Sequence, residues 1–252
     1  MKIITSPAKL MSIDKKSDHY KPTQPKFIKE ATLIQSYLKE KSPAFLSELM
    51  EISDKLANEN WQRNQQWKAK PKEDESNQAL FSFTGEVYRG LDAHTLSTDA
   101  LDYLQENYRM LSGLYGLLKP SDIIMPYRLE MGRNFAFETY KNLYEFWQEK
   151  LSTQINKETK KGELLLNLAS TEYFKATYKK KLHAHVIDFD FQEIKSGKPK
   201  TIVVYTKHAR GLMVRYCAET NAQTLDDVKA FHYEGYFIDE DRSTDKKLVF
   251  VR

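Results

Sequence analysis

Four stretches of this chain carry side chains able to do chemistry on an anion. In the first, the apolar run Lys2–Thr5 passes into Ser6-Pro7-Ala8-Lys9. In the second, the apolar run Leu164–Ala169 passes into Ser170, Glu172, Tyr173 and Lys175. Both read as buried strands that end in a hydroxyl and a cation, at the edge of a sheet where ligands of mixed folds bind. Lys9, with Thr5 or Ser6, is thus a candidate anion contact. The third stretch runs from Arg109 to Gly132, with Arg133 just beyond, and holds three of the nine glycines and two of the eight prolines. Its turns at Gly113–Gly116, at Lys119–Asp122 and around Pro126 carry Lys119, Tyr127, Arg128 and Glu130. Turns that fix the backbone while presenting cations suit a phosphate or nucleic-acid site; a core loop with a few solvated charges satisfies the same pattern.

The fourth stretch, Thr206–Glu219, reads as a helix with Thr206 as its N-cap. Ala209, Leu212, Met213 and Tyr216 form its apolar face. Lys207, Gly211 and Arg215 recur at i, i+4 and i+8 on the other side, with His208 alongside and Arg210 at the boundary. Glycine inside a helix costs about 1 kcal/mol relative to alanine. A glycine between two cations lets a backbone or a phosphate approach the axis, and the helix N-terminus adds positive field near Lys207. An exposed face with a tolerated glycine is the plainer alternative.

Composition bounds these readings. The chain has 252 residues, 40% hydrophobic and 29% charged, which describes an ordinary globular protein with room for a sizeable core. Net charge is +4 and the pI about 8.8, which permits an anionic partner without requiring one. One cysteine, Cys217, excludes an internal disulfide and thiolate metal clusters and fits a reducing compartment. No apolar run is long enough to span a membrane, and the opening residues are too short for an export signal, so a cytoplasmic location with no membrane partner is expected. Fifteen tyrosines, thirteen phenylalanines and three tryptophans supply ring surface for a core or for base stacking. Ser6-x-x-Lys9 and Lys195-Ser-Gly197 mimic the boxes of penicillin-binding enzymes, but patterns this short occur by chance and no export signal accompanies them. His183 and His185 share one face of a strand and Asp188 and Asp190 the other, which makes a poor metal site; no metal and no cofactor is expected.

The elements that must position these groups follow from periodicity. Residues 13–25 form a polar loop. Helices are predicted over 26–39, from Ser42-Pro43 to Met50, from Ser53 to Trp67, over 98–108 with Ser97 as N-cap, and over 143–155. Phe81 and Phe83 alternate as in a strand, and Gly85 and Gly90 bracket one turn of helix. Residues 184–191 and 201–205 read as a hairpin around Lys195–Pro199, and 235–239 and 248–252 as the last strands. No linker or repeat interrupts the chain. The expectation is one α/β domain over 1–252, with a mixed central sheet and surrounding helices.

Taken together, Thr5–Lys9, Ile52-Ser-Asp-Lys-Leu-Ala57, Arg109–Pro120, Pro126–Gly132, Asn167–Ser170 with Glu172-Tyr173, Lys207 with Ala209-Arg-Gly211 and Arg215, and Gly235-Tyr-Phe237 resemble the YaaA family of bacterial peroxide stress proteins. The resemblance runs from the first residues to the last strands in one order. It implies a cytoplasmic protein with a helix-hairpin-helix element, DNA binding through a basic cleft, and a role in limiting iron-linked oxidative damage; it implies no settled catalytic activity. The helix-hairpin-helix falls on 98–122, although that hairpin commonly has Gly-apolar-Gly where this chain has Gly113-Leu-Tyr-Gly116.

Two function classes follow. A DNA-binding monomer would line a cleft with Lys9, Lys119, Arg128, Arg133, Lys175, Lys207, Arg210 and Arg215, bind phosphate with little sequence preference, and stack Tyr127 and Tyr173 on an unpaired base. An enzyme acting on a nucleotide or a base would use Ser6, Ser170, Glu130 and Glu172, because carboxylates repel phosphate but serve acid–base chemistry or a base edge. Ion pairing of Glu130 with Arg128 or Arg133 is the plainer explanation. A direct iron site is disfavoured by one cysteine and six scattered histidines.

Overall fold

The sheet grows outward from the first strand. The computed structural model describes residues 1–252 as β1 (Lys2–Thr5), β2 (Leu10–Met11), α1 (Ile28–Lys39), α2 (Pro43–Met50), α3 (Asp54–Gln66), β3 (Asn77–Gln78), α4 (Ala79–Ser82), β4 (Phe83–Thr84), α5 (Glu86–Leu91), α6 (Thr98–Asn107), β5 (Tyr108–Ser112), β6 (Gly116–Leu118), β7 (Ile123–Ile124), α7 (Leu143–Glu158), β8 (Leu164–Leu168), α8 (Thr171–Phe174), β9 (His185–Lys195), β10 (Lys198–Lys200), α9 (Val203–Glu219), α10 (Leu225–Lys229), β11 (Phe237–Ile238) and β12 (Lys247–Val251). The central sheet runs β11-β12-β9-β8-β1-β5-β6, with β10 paired to β9. Its five middle strands are parallel; β6, β10 and β11 are antiparallel additions.

This order contains a reversal. From β1 the chain next enters the sheet on one side, at β5 and β6. It then crosses to the other side of β1 and continues outward through β8, β9 and β12. The two directions part between β1 and β8, whose carboxyl ends lie at the same edge because the pair is parallel. A crevice opens at such a point because the connecting segments leave in opposite directions.

The apolar runs explain the burial. Ile3, Ile4, Leu165 and Leu166 are almost fully buried, as strands covered on both faces require. One contiguous hydrophobic cluster takes in residues from β1 to β12, so the chain forms a single mixed α/β domain. The predicted caps at Ser42, Ser53 and Ser97 are present, with each hydroxyl accepting the amide of Phe45, Leu56 or Ala100.

Three local expectations are corrected. The 98–122 segment is one helix followed by a strand hairpin, with β5 and β6 paired through Leu111 and Leu117, so the second arm of a helix-hairpin-helix is replaced by strand there. Its Gly113–Gly116 turn is buried: a Cβ on Gly113 would lie 2.2 Å from the Leu129 carbonyl, and Gly116, at φ +71°, lies under Trp147. It therefore offers no backbone to phosphate. Residues 201–205 are not the second strand of the hairpin; β10 covers that pairing, and α9 begins at Val203. Thr206 consequently does not cap the helix but donates its hydroxyl to the Phe191 carbonyl at 3.1 Å.

Candidate functional site

A cleft of about 520 Å³ opens where the sheet order reverses. The segments after β1 and β8 supply Ser6, Pro7, Ala8, Lys9, Ser170, Glu172 and Tyr173; the turns after β7 supply Arg128 and Glu130. α5 adds Glu86, Tyr88 and Arg89, and α9 adds Lys207 and Arg210. A larger hollow of about 660 Å³, between residues 16–22 and 73–78, receives neither strand end and none of the predicted site residues.

The two strand ends are tied together by their serines. Ser6 Oγ accepts the Ser170 amide at 2.9 Å and donates to Ser170 Oγ at 3.2 Å. The Ser170 side chain is therefore engaged by Ser6 and does not cap α8. Below them, Thr5 Oγ1 and the Tyr108 hydroxyl are 2.6 Å apart, and the Tyr88 hydroxyl donates to the Ser6 carbonyl at 3.1 Å. Burial pushes the Tyr88 pKa well above the usual phenol value, with Tyr108 adding to the effect. Burial does the same for Tyr173, followed by Tyr127 and the carboxylates of Glu172 and Glu130. Both phenols are thus neutral hydrogen-bonding groups rather than bases.

Charge is distributed unevenly. Glu130 is 4% exposed and its Oε1 serves Arg128 at 3.2 Å, Lys9 at 3.3 Å and, more distantly, Arg133 at 3.9 Å. Its Oε2 and the Arg128 Nε have no partner. Glu172 accepts the Gly132 amide at 3.0 Å, and Arg89 pairs with Glu86 on its own helix. Lys207 and Arg210 are different: neither forms an ion pair, and Arg210 Nε is buried without a partner. Burial pulls the Arg210 pKa down while Asp190 pulls it up. An unpaired guanidinium in a concave site is a standing demand for an anion.

Of the predicted cations, the cleft gathers Lys9, Arg128, Lys207 and Arg210. The other four lie elsewhere. Arg215 does not meet Lys9: it donates to the Leu91 and Asp92 carbonyls and the Thr95 hydroxyl and pairs with Glu219, at the far end of α5. Arg133 binds Glu51 at 2.9 Å in a neighbouring hollow. Lys175 lies over the Tyr144 ring at 4.7 Å, and the exposed Lys119 sits beside Asp122, which accepts its backbone amide. Tyr127 is 4% exposed, with its hydroxyl 2.6 Å from Ser112 Oγ and its ring edge-on to Tyr115, so it presents no face for stacking; Tyr173 is 8% exposed at the cleft wall. No cluster of three or more His, Cys, Asp or Glu side chains is placed to hold a metal, and no helix is long and apolar enough to cross a membrane.

Sequence reasoning missed the contribution of α5. Glu86, Tyr88 and Arg89 reach the cleft because α5 packs directly against α9, and the signal for that contact was present as Gly90 and Gly211.

The family profile described as "Peroxide stress protein YaaA" matches residues 1–242. The chain belongs to the YaaA family. Among its relatives, a "UPF0246 protein" of Flavobacterium johnsoniae is 49% identical over all of both chains. A UPF0246 protein of Neisseria meningitidis serogroup A is 44% identical over all of this chain and 98% of its own, and one of Marinomonas sp. is 44% identical over all of this chain and 97% of its own. As a YaaA-family chain it is a peroxide stress protein by family.

Proposed function

We propose that this YaaA-family protein is a cytoplasmic, monomeric nucleic-acid-binding protein of the peroxide response, and that it holds DNA phosphate in the switch-point cleft. One observation carries the reading: Lys207 and Arg210, one turn apart on α9, line the same cleft as Ser6 and Ser170 and form no ion pair, Asp190 acting on Arg210 only from a longer distance. Lys9 and Arg128 add charge but share Glu130. Contacts to phosphate from cations and hydroxyls carry no base information, so little sequence specificity is expected. A cleft of this volume takes a single nucleotide unit, so a flipped or unpaired residue fits it and stacked duplex does not. Limiting iron-linked damage is then an indirect effect, exerted through the nucleic acid that is covered. Oligonucleotide binding across a salt series, for wild type and for Lys207→Ala with Arg210→Ala, tests the proposal.

The buried Glu130 Oε2 without a partner favours a second reading, an enzyme that uses this carboxylate on a bound base. Turnover of nucleotides or short oligonucleotides that disappears in Glu130→Gln would establish that reading.

A further inference from the structure

A second hollow adjoins the cleft. It measures about 340 Å³ and shares Thr84, Gly85, Tyr88 and Arg89 with it, so only the first turn of α5 and the β2–β4 ladder separate the two. Its floor is apolar, formed by Leu80, Phe81 and Phe83, all nearly buried. At its rim are three exposed groups, Lys15, Arg89 and His94. The His94 ring is held with its centroid 4.8 Å from that of Phe81. The rim also carries two carboxylates that keep their charge opposite Lys15 and Arg89: Asp14, which accepts the Ser12 hydroxyl at 2.7 Å, and Asp92, which accepts the Thr95 hydroxyl at 3.3 Å.

Building on the nucleic-acid reading of the cleft, we propose that this hollow receives the neighbouring nucleotide of an unpaired strand whose first nucleotide occupies the cleft. Arg89 lies on the ridge common to both hollows, where the linking phosphate must cross. Its only carboxylate partner is Glu86, on its own short helix, and an exposed pair of that kind is worth little and yields readily to phosphate. His94 supplies a ring for stacking on an apolar floor. Burial, and then the charge of Lys15, lower its pKa, with Asp92 opposing them. Lys15 then stands beside the outgoing phosphate. Two concavities divided by a ridge accept nucleotides one at a time. A duplex holds its bases paired and stacked in its interior and cannot fill both hollows without opening. The ligand class is therefore single-stranded or locally opened nucleic acid at least two nucleotides long.

The test uses the full chain with thymidine monophosphate, a labelled single-stranded octathymidylate, and the same octamer as a duplex. The variants are Lys15→Ala with His94→Ala, and Lys207→Ala with Arg210→Ala. Wild type binds the single strand more tightly than the duplex or the monophosphate. Lys15→Ala with His94→Ala weakens single-strand binding by about tenfold, the scale of one lost base stack, and leaves monophosphate binding and thermal stability unchanged. Single-strand affinity that survives Lys15→Ala with His94→Ala but is lost in Lys207→Ala with Arg210→Ala overturns the second hollow and leaves the cleft standing. Affinity for both ligands untouched by Lys207→Ala with Arg210→Ala overturns the cleft and the second hollow together. A duplex bound more tightly than the single strand also overturns the proposal.

Discussion

Gly90 of α5 and Gly211 of α9 lie reciprocally against the opposite helix. A Cβ built on Gly211 would stand 1.8 Å from the Val87 carbonyl oxygen, and one built on Gly90 would stand 2.2 Å from that of His208. The approach brings Tyr88 and Arg89 of α5 to the same wall as Lys207 and Arg210 of α9. Alanine at 211 would gain about 1 kcal/mol of helix propensity, but it meets backbone rather than a flexible side chain, and overpacking of that kind costs about 1–3 kcal/mol or more. Gly211→Ala is thus expected to destabilise the protein by a net ~1–2 kcal/mol in urea unfolding, the upper part of that difference, because the clash is with backbone. An unchanged or raised midpoint would mean that the two helices are not in this contact.

Arg215 serves the fold. Its guanidinium holds the carbonyls at the end of α5 together with the Thr95 hydroxyl. Hydrogen bonds from a charged donor contribute about 1.5–3 kcal/mol. Arg215→Ala should lower stability by an amount in that range while leaving the salt dependence of oligonucleotide binding unchanged. A flattened salt slope at full stability would return Arg215 to the binding surface.

Cys217 is fully buried, and burial pushes its thiol up to about 12, with Asp227 adding to the shift. The thiolate is the species that reacts with peroxide or alkylating agents. In the native protein at pH 8, Cys217 should resist iodoacetamide and react only on unfolding. Rapid native labelling would contradict this and would make the single cysteine a candidate peroxide sensor.

Glu130 is a buried carboxyl group beside three cations. Glu130→Gln keeps the shape, removes the repulsion toward phosphate and releases Lys9 and Arg128 from their shared partner. About 1 kcal/mol for a charge pair 4 Å apart in bulk water sets the lower bound for this buried site, so oligonucleotide binding should tighten by at least roughly fivefold. Weaker binding would indicate that the carboxylate itself contacts the ligand.

How much of this was legible in the sequence depends on how local each signal is. The caps at Ser42, Ser53 and Ser97 are local, and they stand where the residues indicated. Ser6 and Ser170, 164 residues apart, meet only through the sheet, and that contact takes the Ser170 hydroxyl away from the helix it precedes. The start of α9 was misread because Ile202-Val203-Val204 is β-branched and resembles a strand, yet Val203 and Val204 form the exposed first turn of the helix. That shift leaves Lys207 beyond the first turn, where the dipole field fades. Gly211 was legible as a close approach, but its partner is the backbone of α5 and not a phosphate. Which cations share a surface is decided by the sheet order, and pattern alone does not encode that order.

Salt dependence tests the central claim most directly. The logarithm of single-strand affinity should fall linearly with the logarithm of salt concentration, and each phosphate neutralised contributes about 0.7 to the slope. Lys207→Ala with Arg210→Ala should flatten the slope by roughly 1.4, the contribution of two contacts. An unchanged slope in a variant that remains folded would contradict the assignment of this cleft to phosphate.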